Sequence, residues 1–120
     1  MAINIRSGRI VFPSATGLQT IRMVYLVNRH PQACWVALSG YQAKYDNSDH
    51  HIKTLQVELS TQILTTDDGP TIYVTARLFL RDKNADDRFS GWVDFVLFAD
   101  TGRPLLETSV LTAGVERWSL

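Results

Sequence analysis

The stretch TIYVTARLFLR, residues 71–81, carries the clearest structural signal in the chain, because its apolar and polar side chains alternate. Successive side chains on a β-strand point to opposite faces, so a period of two predicts a strand with one buried face. The turn signal DDGP precedes it, so residues 61–66 and 71–81 are predicted to form a β-hairpin. The side chains expected to face the core are Ile72, Val74, Ala76, Leu78 and Leu80.

Similar short runs rich in β-branched and aromatic residues recur along the chain, separated by turn signals such as RSG, FPSATG, NRHPQ and YDNSDHH. No window shows a sustained helical stripe with start and stop signals. The pattern predicts an all-β chain that forms a single-domain antiparallel β-sandwich of about seven strands. Further strands are predicted at residues 20–27, 33–46, 51–60 and 90–100, the last with Val93, Phe95, Leu97 and Ala99 facing the core.

Three features interrupt this strand pattern. Gly40 lies in the middle of the long 33–46 segment and predicts a bulge or bend. Ile52 is out of phase with the apolar residues that follow it, which predicts a second bulge near Lys53 and Thr54. Asp94 is an acid among large side chains, on the face of its strand that is turned away from the core.

The C-terminal segment, about residues 104–120, is predicted to form one more strand or an oligomerisation arm. Trp118 has no obvious position in the predicted sandwich. Exposed apolar groups of this size often mark interfaces, so Trp118 is an interface candidate.

The composition fits one domain spanning residues 1–120, and a hydrophobic content of 45% suffices for a core that needs no disulfide or structural metal to be stable. Twelve basic and twelve acidic residues give a net charge of zero. These charges are mixed along the chain, without the basic face of a nucleic-acid binder or a polybasic run for a membrane surface. We therefore expect no nucleic-acid partner and no membrane partner.

Cys34 is the only cysteine, which excludes an intrachain disulfide and a cysteine-based zinc site. It lies in the apolar run ACWVAL, which is typical of a buried small hydrophobe rather than a catalytic thiol. The N-terminus lacks the apolar core of a secretory signal, and no apolar run approaches the ~20 residues that span a bilayer. The expectation is a soluble protein, cytoplasmic or virion-associated, without a signal peptide.

The segment YDNSDHH, residues 45–51, is the first candidate site, and it has three interpretations. A metal site would use Asp46, Asp49 and a histidine, although neighbouring residues on a regular strand point apart. A structural turn would use Asp46 or Asn47 to cap its own backbone. A recognition loop would combine short polar side chains with a tyrosine ring, which suits hydroxyl-rich ligands. The ligand-binding candidates are Tyr45, Asp46, Asn47, Asp49, His50 and His51.

The segment RDKNADDRFSGW, residues 81–92, is the second candidate site. Its D-x-N-x-D spacing is that of a calcium loop, but Asp87 replaces the glycine and Val93 the distal glutamate of an EF-hand. A looser calcium loop and a solvated hairpin loop, with Arg81 and Arg88 balancing the acids, are both open interpretations. Calcium would use Asp82, Asn84, Asp86 and Asp87, and Arg81, Asp82 and Asn84 are also ligand-binding candidates.

A nucleophilic enzyme is not expected, because the chain has no G-x-S-x-G context and no acid–base–nucleophile set that the strand pattern would assemble. No cofactor other than calcium is suggested.

The arrangement resembles the H-type lectins, the snail-agglutinin-like β-sandwiches. The opening IRSGRI is similar to their V-x-S-G start, RHPQACWVALSGYQ to a strand entry, and VDFVLFAD to their closing strand. The resemblance implies a six- to seven-stranded sandwich, commonly trimeric or hexameric, that binds galactose-type sugars at subunit interfaces. The family's T-W-x-[DN] motif would fall near RLFLRDKN, where no Trp occurs and Asp82 or Asn84 would stand in.

The segments GYQAKYDNSDHH and FSGWV are also similar to a small β domain of bacterial and phage-associated proteins. The functional prediction is a non-catalytic, lectin-like module that recognises carbohydrate as a homo-oligomer. The alternative is a structural component of a virion, phage tail or other large assembly, which contacts other virion proteins and binds no sugar.

Overall fold

The structure, a computed structural model, describes residues 3–46, 52, 54–82, 87–100 and 116–119. These residues are almost entirely β-strand, and the prediction of an all-β chain is confirmed. The strands are β1 (Ile3–Ala15), β2 (Gln19–Val27), β3 (Ala33–Tyr45), β4 (Thr54–Thr66), β5 (Gly69–Arg81), β6 (Phe89–Asp100) and β7 (Glu116–Trp118).

Two sheets pack face to face, as predicted for a sandwich. The three-stranded sheet has the order β1-β6-β3, and the four-stranded sheet has the order β4-β5-β2-β7. The six long strands pair antiparallel with their neighbours, whereas the three-residue β7 pairs parallel with residues 25–27 of β2. No helix with the length and apolar character of a membrane span occurs in the part of the chain that the structure describes.

The core comes from the inward faces of the central strands β5 and β6. All five residues predicted to face inward from β5, and all four from β6, are buried, so both face predictions are confirmed. Central strands are hydrogen-bonded on both edges and covered on one face, so their alternating pattern translates directly into burial.

The predicted hairpin is confirmed, with β4 and β5 joined at Asp67 and Asp68. The Thr66 hydroxyl accepts a hydrogen bond from the backbone N–H of Asp68 at 3.2 Å. Gly69 has a φ of 101°, which a residue with a Cβ adopts only with strain.

Strand β1 runs through the RSG and FPS segments, which the sequence pattern had assigned as turn signals. Gly8 is needed there for close packing rather than for a turn. An ideal Cβ at Gly8 would lie 2.4 Å from the Phe95 ring and 2.8 Å from the Tyr25 hydroxyl. The absent side chain therefore lets the two sheets approach each other at this point.

The predicted bulge at Gly40 is confirmed by a register shift between Leu38 and Gly40 where β3 pairs with β6. The extra residue shifts the alternation of side chains by one position. Trp35, which precedes the bulge, therefore points outward, whereas Ala43 and Tyr45, which follow it, pack against the core although all three would share one face of a regular strand. The second predicted bulge involves Lys53, which lies outside the described residues.

The expectation that Trp118 is exposed is wrong. Its side chain is 7% exposed and belongs to the core, with its ring centroid 6.1 Å from that of Tyr25. A salt bridge from Arg6 to Glu116 fastens β7 to β1, and the Arg6 guanidinium carbon lies 5.4 Å from the Tyr25 ring centroid. Residues 116–118 of the predicted C-terminal segment thus form a strand, and residues 104–115 lie outside the described part.

Candidate functional site

The two polar loops predicted as candidate sites begin and end at the same end of the sandwich. The register of β3 on β6 pairs Tyr45 with Phe89, so the start of one loop adjoins the end of the other. The backbone N–H of Asp46 donates to the Arg88 carbonyl oxygen at 3.0 Å. This ladder bond holds the two loops together at their bases.

A side-chain network joins these loops to the end of β1. The Ser14 hydroxyl donates to the Asp46 carboxylate, and Arg88 donates through Nε to the Ser14 hydroxyl at 3.1 Å and through Nη2 to the Ser14 carbonyl at 2.8 Å. Arg88 Nε also lies 3.8 Å from the Asp46 carboxylate, with both side chains substantially exposed. We call Ser14, Asp46 and Arg88 the polar triad. It presents fixed donors and acceptors to solvent.

Three further candidates lie beside the polar triad. Burial raises the pKa of Tyr45, and the negative charges of the nearby Asp82 and Asp87 carboxylates raise it further. Arg81 donates through Nε to the Thr54 hydroxyl at 3.2 Å, so its guanidinium is directed toward the first residue of β4.

Asn47, Asp49, His50, His51, Asn84 and Asp86 lie outside the described residues. Among the residues that are described, no group of three His, Cys, Asp or Glu side chains is arranged to hold a metal ion. Because only Asp82 and Asp87 of the calcium set are described, the calcium loop remains a prediction.

Ser14 was not identified from the sequence, and Arg88 was considered only as a counter-charge. Ser14 and Asp46 are 32 positions apart, and Ser14 and Arg88 are 74 apart. Neither spacing carries a local signal, because the contact depends on β1 and β3 flanking the same strand, β6.

A second notable surface is the outer side of the three-stranded sheet. The register aligns Ile5 with Phe98 and Trp35, and Val11 with Trp92 and Gln42. The rings of Trp35 and Phe98 are parallel within 10°, with centroids 5.7 Å apart. We call the outer side of this sheet the aromatic face, after its apolar side chains, which are Ile5, Val11, Trp35, Trp92, Val96 and Phe98.

Asp94 lies in the middle of the aromatic face, which explains an acid among large side chains. Arg9 donates to its two carboxylate oxygens at 2.6 and 2.9 Å. The same guanidinium carbon lies 4.0 Å from the centroid of the Trp92 ring, a cation–π contact. The hydrogen bonds from Arg9 hold the pKa of Asp94 below its ordinary value, so the pair is ionised and neutral overall.

Cys34 is half-buried and packs against the core, in line with its interpretation as a small hydrophobe. Burial raises the pKa of its thiol, partly offset by a hydrogen bond with Thr61. A raised thiol pKa lowers the thiolate fraction at neutral pH, which argues against a reactive cysteine.

No family model, curated protein or solved structure matches this chain. The resemblance to the H-type lectins therefore stays a prediction.

Proposed function

We propose that the chain is a non-catalytic binding module that recognises carbohydrate, with several copies acting together as a homo-oligomer of the lectin type. The observation that carries the proposal is the polar triad, Ser14, Asp46 and Arg88, at the point where the two polar loops meet beside Tyr45. The expected oligomer is a trimer or hexamer, as the lectin resemblance implies.

The chemistry of this end suits a hydroxyl-rich ligand. A carboxylate accepts hydrogen bonds from neighbouring sugar hydroxyls, and a guanidinium donates to hydroxyl and ring oxygens. Asp46 and Arg88 are held in place by Ser14 and remain partly exposed, so little reorganisation is needed on binding.

Each site of this kind binds weakly, because its side chains are largely exposed to water. Several copies in one oligomer raise the effective affinity without new contacts, provided that the sites reach a multivalent glycan together. Self-association is therefore part of the proposal rather than an addition to it.

The test is a glycan array probed with the wild-type protein and with Asp46→Asn, which keeps the side-chain shape and removes the charge. The matched control is Glu58→Gln, which neutralises an exposed carboxylate near Arg77 on the four-stranded sheet. We expect Asp46→Asn to weaken saccharide binding at least about tenfold, equivalent to about 1.4 kcal/mol, while the control binds as wild type.

Circular dichroism and light scattering on the same samples show whether fold and oligomer are retained. Wild-type protein that binds no glycan, or full binding by Asp46→Asn, would contradict the proposal. Repeating the array with a calcium chelator tests the predicted calcium loop, because binding that needs calcium would be lost.

The aromatic face favours a second candidate function, that of a structural component of a virion, phage tail or other large assembly. Ile5 and Val11 are 63% and 64% exposed, and Trp35 is 44% exposed. Exposed apolar side chains grouped on one side of a sheet commonly mark a contact with another protein. A stable oligomer that binds no glycan would support this function, and its partners would then be sought among proteins of the same particle.

A further inference from the structure

We infer that the aromatic face is the surface on which a second copy of this chain packs, sheet against sheet, about a two-fold axis. The inference names the surface for the self-association in the proposed function and, of the two oligomers expected there, selects the hexamer, because a trimer contains an odd number of chains. It does not depend on saccharide binding, because the polar triad lies at one end of the sandwich and the aromatic face on its side.

The two sheets differ in what their outer sides present. Along the outer sides of β4 and β5 the described residues are mainly polar, and Arg77 lies 3.9 Å from Glu58 across that pair of strands. The three-stranded sheet instead exposes Ile5, Val11 and Trp35. A sheet that faced water on its outer side would carry polar residues there, as the four-stranded sheet does.

The overlap between the two copies suits a small interface. Strand β1 has 13 residues and β6 has 12. A two-fold axis between β1 and β6 overlaps these two strands, which at ~3.3 Å per residue and ~4.8 Å between strands cover roughly 40 by 10 Å, or about 400 Å² in projection. Such a contact falls among the smaller protein interfaces, which bury less than about 1,200 Å² in total.

The charges at the centre of the face make it complementary to itself. Arg9 lies midway along β1 and pairs with Asp94 on the adjacent β6. A two-fold axis that runs along the strands between β1 and β6 places each Arg9 over the Asp94 of the other copy. The two Arg9 and two Asp94 side chains then form a group of four charges in which each charge has opposite charges as its neighbours.

The same axis superposes the apolar rows on one another. Each Ile5 then lies over Phe98 of the other copy, and each Val11 lies over Trp92, because these residues are cross-strand partners in the β1–β6 register. Trp35, stacked on Phe98, falls at the rim and extends the apolar surface there. One copy of the face therefore satisfies the apolar and charged groups of the other.

The test is the mass of the purified protein by light scattering, for wild type, Ile5→Lys and Val11→Lys. Both side chains are exposed, so lysine is tolerated by the fold of the single chain, and circular dichroism checks this. The control is Leu64→Lys, an exposed residue of the four-stranded sheet. We expect wild type and control to contain an even number of 13.5 kDa chains, and both aromatic-face variants to have half that mass.

A charge series tests the centre of the interface. Arg9→Glu places two carboxylates together on each copy and should halve the mass, whereas Arg9→Glu combined with Asp94→Arg restores opposite charges and should restore the wild-type mass.

Wild type with an odd number of chains, or aromatic-face variants with unchanged mass, would overturn the inference. Variants that keep the mass but lose glycan binding would overturn it as well, by assigning the face to saccharide. An even-numbered wild type that binds no glycan and halves on substitution would support the inference and contradict the lectin proposal.

Discussion

Asp94 accepts two hydrogen bonds from Arg9 across the β1–β6 ladder, and the carbon of the same guanidinium lies 4.0 Å from the centroid of the Trp92 ring. The pair places an ion pair of zero net charge in the middle of the aromatic face.

We expect Arg9→Gln to raise the pKa of Asp94 toward its ordinary value, because the hydrogen bonds from Arg9 are the main cause of its lowered pKa. A lowered pKa in the folded state stabilises the protein above the unfolded-state pKa, and this contribution is lost as the pH falls through the folded-state pKa. Carboxyl carbon NMR titration measures the shift. Arg77→Gln is the control, and an Asp94 pKa that is the same in wild type and Arg9→Gln would disprove the assignment.

Gly91→Ala should destabilise the fold strongly, by about 3 kcal/mol in the free energy of unfolding. A Cβ at this position would lie 1.9 Å from the Gln42 carbonyl oxygen on the paired strand, and backbone cannot move aside cheaply. Gly40→Ala is the control, since its Cβ would meet only the Trp92 ring at 3.7 Å. We expect Gly40→Ala to lower the free energy of unfolding, measured by urea denaturation, by less than about 1 kcal/mol. Equal stability of the two variants would rule out this account.

Tyr25 should make the stability fall at alkaline pH. Burial, together with the Glu116 carboxylate, raises the pKa of Tyr25 to about 12. Because its folded-state pKa exceeds the unfolded value of about 10, the contribution is complete below pH 10 and declines as the pH rises toward 12. Tyr25→Phe should flatten this part of the stability profile in urea titrations at several pH values. An unchanged slope would show that Tyr25 ionises without opposition in the folded protein.

Trp118→Ala should lower the free energy of unfolding by about 3–5 kcal/mol, because it leaves a cavity at a buried position in the core. Trp35→Ala provides a matched comparison on the exposed aromatic face, where we expect about 1 kcal/mol or less. Denaturation at a fixed protein concentration separates the two effects. A Trp118→Ala variant of normal stability but reduced oligomeric mass would restore Trp118 as an interface residue.

The predictable part of the fold was the part governed by local alternation. Residues 71–81 and 90–100 became central strands, where both backbone edges are paired and one face is covered, so their period of two matched their burial. Gly8 was misjudged because a glycine that permits close packing looks, in sequence, like a glycine that permits a turn.

The candidate site was only partly predictable. Tyr45, Asp46, Asp82 and Asp87 were chosen for their residue type, and the structure brings the described members of both loops to one end. Ser14 was missed because its contact with Asp46 depends on how strands distant in the chain are ordered in the sheet.

Residue alternation, turn chemistry and composition thus established the all-β class, the central strands and their buried faces, since each depends on neighbours within a few positions. The order of the strands, and which of their side chains point to the core, were determined by packing between segments that are distant in the chain. Arg6 meets Glu116 across 110 positions, and the bulge at Gly40 turns Trp35 outward. Such contacts form only when the sheets close on a shared core, so no local pattern specifies the polar triad, the aromatic face or the burial of Trp118.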